Sequence, residues 1–172
     1  MKIAILIAFK DFRDEELFTP QRVFTSVGAE FKVFSTEVGI AQGADGGTAI
    51  VHSYIDNLQV SDFDAIVFIG GPGAIRELDN GRSYKIIHEA VVKEKVLGAI
   101  CVAPVILAKS KILKGKKATV WTDMGKETRE VLEENGAIYE NQPVVQDGKI
   151  ITAVGASAAE TFAQKIVQAL KE

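Results

Sequence analysis

The chain has 172 residues, 47% of them apolar, and a formal net charge of −3; that length can bury a substantial core, and that composition excludes a disordered chain. Its Lys and Arg residues are scattered along the sequence, which excludes the basic stripe of a nucleic-acid surface. No apolar run reaches the roughly 18 residues of a membrane span, and the opening residues enter a short apolar run with no cleavage-site pattern, so a cytoplasmic chain folded as one domain over residues 1–172 is expected.

Residues 3–8 are a continuous apolar run, the pattern of a strand covered on both faces. Residues 14–28 read as a helix, with Asp14 as N-cap and Gly28 as its stop. Strands follow at 31–34 and at 66–69, the latter stopped by Gly70-Gly71-Pro72-Gly73. Residues 41–47 read as a flexible loop between short strands. Residues 84–95 are helical, 96–100 a buried strand, and 104–109 lie in the helix after it. A strand at 118–120 and a helix at 126–135 come next, with Gly136 as C-cap. Residues 144–145 and 150–153, joined through Asp147-Gly148, form a hairpin, and 158–170 the closing helix. Alternating strands and helices imply a mostly parallel, doubly wound α/β sheet with helices on both faces. Ligands in such sheets bind at the carboxyl ends of the strands. Attention therefore falls on the residues just after Ala8, Ile69 and Ile100.

Cys101 stands at one of these ends, between a buried strand and a helix, with Ala99 and Ala103 two residues to either side. Small residues at those offsets suit a sharp nucleophile elbow. The chain's one cysteine forms no internal disulfide and no cysteine zinc site. A sulfur at a helix start is expected to ionise below the free thiol's pKa. The bland alternative is a cysteine packed as a small hydrophobe. Gly70 and Gly71 end the neighbouring strand, where the Gly71 amide could join that of Val102 as an oxyanion site; a plain tight turn is the alternative. Glu16 lies on a helix stripe with Pro20, Val23 and Val27 that points inward, whereas Glu15 shares a solvated side with Thr19, Arg22 and Ser26. Burial would raise the pKa of Glu16 and let it donate a hydrogen bond to the sulfur. His52 and His88 have no local spacing that makes either a base for Cys101.

Ala99-Ile100-Cys101 with Pro104 resembles the A-I-C-x-x-P signature of the ThiJ/PfpI (DJ-1-like) superfamily. Glu16 with Pro20 resembles that family's glutamate and following proline, and Gly70-Gly71-Pro72-Gly73 resembles its G-G-x-G turn. The resemblance runs across the whole chain and implies a flavodoxin-like (Rossmann-like) sandwich, a homodimer, and no metal or organic cofactor. It implies Cys101 as nucleophile or oxidisable thiolate, Glu16 as its acidic partner, and Gly71 and Val102 as oxyanion amides, with Gly70 and Trp121 in the pocket. Two positions depart from the pattern. Peptidase-like members carry His where this chain has Val102, and glyoxalase-like members carry His where it has Trp121. Three functions are carried forward. The first is cofactor-free glyoxalase or deglycase chemistry on a small carbonyl substrate such as methylglyoxal. The second is a redox-responsive or chaperone-like role for an oxidisable Cys101. The third is a cysteine peptidase, which Val102 disfavours.

Overall fold

The computed structural model describes residues 1–172. Its strands are β1 (Lys2–Leu6), β2 (Lys10–Phe12), β3 (Glu30–Ser35), β4 (Gly39–Gly43), β5 (Thr48–Val51), β6 (Ser53–Tyr54), β7 (Ala65–Phe68), β8 (Val96–Ile100), β9 (Lys117–Ala118), β10 (Ile138–Tyr139), β11 (Val144–Asp147) and β12 (Ile150–Ala153). Its helices are α1 (Asp14–Ser26), α2 (Ala74–Leu78), α3 (Gly81–Val92), α4 (Pro104–Lys109), α5 (Glu127–Glu134) and α6 (Ala159–Ala169). Seven strands form the central sheet in the order β11-β12-β8-β7-β1-β3-β6. All neighbours pair in parallel except the edge strand β11, which turns back on β12 through the Asp147-Gly148 hairpin.

The apolar runs become central strands because both faces of the sheet are covered. Side chains alternate along a strand, so Ile3 and Ile5 join one buried cluster with Leu17 and Phe24 of α1 and Phe162 and Ile166 of α6. Ala4 and Leu6 join the other, with Ile86 and Ile87 of α3, Ile106 and Leu107 of α4 and Leu132 of α5. Gly98 in β8 lets α6 come close: a Cβ there would stand 2.9 Å from Ile166 Cδ1 and 3.0 Å from Phe162 Cζ. The crossover from β1 runs to β3 on one side, while β7 and β8 lie on the other. That reversal opens a crevice at the carboxyl ends of β1, β7 and β8.

Several expected elements differ in detail. Residues 118–120 do not add a strand to the central sheet. Only Lys117 and Ala118 are paired, with β10, and the chain beyond is tied down by Thr119 N–H donating to Thr152 Oγ1 at 2.9 Å. Residues 41–47 are not a loop throughout, because β4 runs to Gly43 and pairs antiparallel with β5, burying Ala41. Gly, Ala and Gln carry little strand preference of their own, so pairing and burial set that conformation. Asp14 is not the N-cap: Arg13 holds that position and Asp14 is the first helical residue. Its carboxylate instead accepts the amides of Asp45 at 3.2 Å and Gly47 at 2.6 Å, fastening the β4–β5 turn to the start of α1.

Candidate active site

The backbone at Cys101 turns as soon as β8 ends. Its φ is +64°, in the left-handed region that costs a non-glycine residue about 1 kcal/mol or more. Three hydrogen bonds hold the turn there. The Cys101 amide donates to Ala153 O at 2.9 Å, Trp121 N–H donates to Cys101 O at 2.8 Å, and Ala103 N–H donates to Ile100 O at 3.1 Å. Ala99 and Ala103 are fully buried, so larger residues beside the elbow would meet the core. Helix α4 starts at Pro104, three residues past the sulfur. The amides that reach the sulfur are those of Val102 in the turn and Gly71 on the neighbouring strand end.

Gly70 and Gly71 are glycines because neighbouring chain passes too close for a side chain. A Cβ at Gly70 would lie 2.5 Å from Cys101 Cβ, 2.7 Å from Glu16 Oε2 and 2.8 Å from Ile100 O. At Gly71, where φ is +111°, it would lie 2.4 Å from the Arg13 amide nitrogen. Arg13 N–H in turn donates to Gly70 O at 3.1 Å. The start of α1 is thus bonded directly to the glycine turn.

Glu16 is 1% exposed. Its Oε2 accepts the Gly70 amide at 3.1 Å, and its carboxyl is hydrogen-bonded to the Cys101 side chain. Burial pushes its pKa up from 4.5 to about 7, against the opposing pull of Cys101, the Gly70 amide and Arg13. The inward stripe of α1 is made of Glu16, Leu17, Pro20 and Phe24, with Thr19 also buried. Val27 is 39% exposed and so stands outside the stripe on which it was expected. The helix ends at Ser26, and Val27 is already leaving it.

The expectation of a lowered thiol pKa is overturned. Burial, followed by the charge and hydrogen bond of Glu16, pushes Cys101 up to about 12, and the amides of Gly71 and Val102 do not offset that rise. The two groups titrate as a pair. One proton leaves near pH 7 and the second near pH 12, so between those limits one proton is shared. In that range the sulfur is a thiolate only while Glu16 carries the proton.

A cavity of about 570 Å³ opens above the sulfur. Cys101, Glu16, Gly71, Val102 and Trp121 all line it, which brings these residues together from four separate segments. Gly70 does not line it: that residue is buried, and its amide donates to Glu16. Trp121 is 42% exposed and flanks the mouth. Arg13, Glu15, Asp45 and Gly155 also line the cavity and were not anticipated. The Arg13 guanidinium is paired with Asp45 at 2.9 Å. Only the tertiary fold brings the turn between β4 and β5 to the start of α1, and no spacing in the sequence signals it.

Neither histidine lines the cavity. His52 Nδ1 accepts the Val33 amide at 3.1 Å beside β3, and His88 is exposed on α3. No group of three or more His, Cys, Asp or Glu side chains is arranged to hold a metal ion. No helix is long and apolar enough to cross a membrane.

A sequence profile of the DJ-1/PfpI family matches residues 1–169. The chain is 42% identical over 172 residues to an uncharacterized protein of Methanocaldococcus jannaschii, covering 99% of this chain and 83% of that one. It is 28% identical to Deglycase PfpI of Pyrococcus furiosus, covering 99% and 100% of the two chains. Among solved structures, the ThiJ/PfpI domain protein from Brachyspira murdochii matches with a TM-score of 0.93 at 30% identity, over 99% of this chain and 96% of that chain. The flavodoxin-like α/β architecture is common to both.

Proposed function

This chain belongs to the DJ-1/PfpI family, and from that premise we propose that it converts small 2-oxoaldehydes such as methylglyoxal to hydroxy acids without a cofactor. The observation that carries the reading is the buried carboxyl of Glu16 hydrogen-bonded to the one thiol of the chain at the floor of an open cavity. A proton passes from Cys101 to Glu16, and the thiolate attacks the aldehyde carbon. A C–S bond forms, the C=O π bond breaks, and Glu16 returns the proton to the new oxyanion, giving a hemithioacetal. The amides of Gly71 and Val102 face the charge that develops there.

Glu16, now a carboxylate, removes the hydrogen left on that carbon, and the electron pair passes to the former ketone oxygen, giving an enediolate. The same proton is delivered to the adjacent carbon while the hydroxyl proton of the first carbon passes to that oxygen, which leaves a thioester of the 2-hydroxy acid. Water hydrolyses the thioester, releasing the acid and restoring the thiol. The net reaction adds one water to the oxoaldehyde. A carboxyl that holds its proton to about pH 7 can give and take it in the same cycle. The name of the Pyrococcus furiosus relative, a deglycase, is consistent with carbonyl chemistry at this site.

Purified protein given methylglyoxal is expected to form lactate without added cofactor. Cys101→Ser and Glu16→Gln are each expected to lose at least 100-fold in rate, the span of general acid–base catalysis. Lactate formation that survives in Glu16→Gln would overturn the proton-carrier role. A cavity lining without an imidazole favours one second reading, in which Cys101 is oxidised by peroxide to a sulfinate held by Glu16 and the two amides. No turnover in the wild type, with two oxygens gained at Cys101 by mass spectrometry, selects that reading.

A further inference from the structure

Arg13 is the only cationic side chain lining the cavity, set among Glu15, Glu16 and Asp45. Its backbone is fixed at the reacting centre. The Arg13 amide is bonded to Gly70 O, and a Cβ on Gly71 would strike the Arg13 nitrogen at 2.4 Å. The guanidinium is close enough to Glu16 to lower that group's proton affinity. Of its donors, only Nη1 is engaged, by one oxygen of Asp45 at 2.9 Å. Nε and Nη2 have no partner in the protein, which leaves two N–H-bearing nitrogens free. A guanidinium presents its donors in a planar fork that suits a carboxylate.

We propose that Arg13 is the anchor for a carboxylate on the ligand, so that the cavity selects 2-oxoaldehydes bearing one acidic group beyond the keto carbon. Asp45 is the counter-ion that occupies one corner of the fork when no ligand is bound. Its side chain is 49% exposed and that of Arg13 36%, and ion pairs this exposed are held weakly. A ligand carboxylate can therefore share the guanidinium or displace Asp45. Asp14 keeps Asp45 in place by accepting the amides of Asp45 and Gly47. The inference refines the proposed function by naming the substrate class, and its test does not need turnover.

Cys101 is the only cysteine, so alkylation of the chain's one thiol reports on the cavity by intact mass. Iodoacetate and iodoacetamide are near-isosteric, and only the first carries a carboxylate. In both reactions the sulfur forms a bond to the methylene carbon, iodide leaves, and the thiol proton passes through Glu16 to solvent. The quantity read is the ratio of the two rate constants. Arg13→Gln is expected to lower the iodoacetate-to-iodoacetamide ratio at least threefold, as loss of a nearby positive charge requires. Arg13→Lys is expected to keep the ratio within threefold of the wild type, and Asp45→Asn to raise it. A change of less than threefold in Arg13→Gln overturns the proposal. A general loss of structure would expose the buried thiol and speed both reagents, so the ratio is read on variants whose iodoacetamide rate stays within threefold of the wild type. A protein that keeps the charge preference but makes no lactate disproves only the proposed function. One that makes lactate with an unchanged ratio in Arg13→Gln disproves only the anchor.

Discussion

Glu16 holds a proton near neutrality because burial outweighs every donor that faces it. The folded carboxyl titrates at about 7 and the unfolded one near 4.5. Between those values the folded chain binds more protons than the unfolded chain. Stability is therefore full below about pH 4.5 and is lost as pH rises through about 7. Glu16→Gln removes the titrating group. Urea denaturation should find the variant about 1–3 kcal/mol more stable than the wild type at pH 8, with the gap closing by pH 4.5. Parallel stability curves for the two proteins would show that the carboxyl is not so perturbed. The same shared proton shapes reactivity. Iodoacetamide alkylation of Cys101 should rise through about pH 7 to a plateau, and that step should vanish in Glu16→Gln. Cys101 and Glu16 stood out in the sequence because an elbow and a carboxyl on an apolar stripe are local patterns. The direction of the thiol shift did not, because it depends on how deeply the fold sets the sulfur and on the acid placed beside it.

At the scale of elements, three chain ends meet: the glycine turn after β7, the elbow after β8 and the start of α1. Their spacing leaves no room for a methyl group at Gly70. Gly70→Ala should lower stability by about 2 kcal/mol through overpacking, and it should also move Glu16 off the sulfur. Thermal denaturation reads the first effect and the alkylation pH profile the second. Asp14→Ala removes the acceptor of two amides at the β4–β5 turn. The expected cost is about 1 kcal/mol, with faster hydrogen exchange at Asp45 and Gly47 and little change elsewhere. Unchanged exchange there would show that Asp14 does not fasten the turn. The long elements were legible because α1, α3 and α6 and strands β1, β7 and β8 carry sustained apolar patterns. The short β2, β6 and β10 were not, since two or three residues give no period to read. Arg13 and Asp45 escaped for a related reason: they are 32 residues apart, and their pairing is made by the sheet between them.

For the molecule as a whole, two buried clusters flank one sheet, each lined by alternate residues of the same strands. That arrangement was implied by β and α runs in alternation, since buried parallel strands need cover on both sides. Phe162 is fully buried on α6 and fills the space above Gly98. Phe162→Ala should cost about 3–5 kcal/mol, seen as a lower denaturation midpoint with an unchanged slope. A loss below 1 kcal/mol would mean that α6 resettles onto β8. The closing helix thereby supports the elbow at a distance, because it braces the strand that ends in Cys101.

The solitude of Cys101 sets a limit on any life it leads as a redox centre. A sulfenic acid formed there meets no second thiol in its own chain with which to condense. Repair falls to a diffusible reductant small enough to enter past Trp121 and the Arg13–Asp45 pair. The dimensions of that entrance, more than the chemistry of the sulfur, then decide whether the damage is erased or deepens to an irreversible acid.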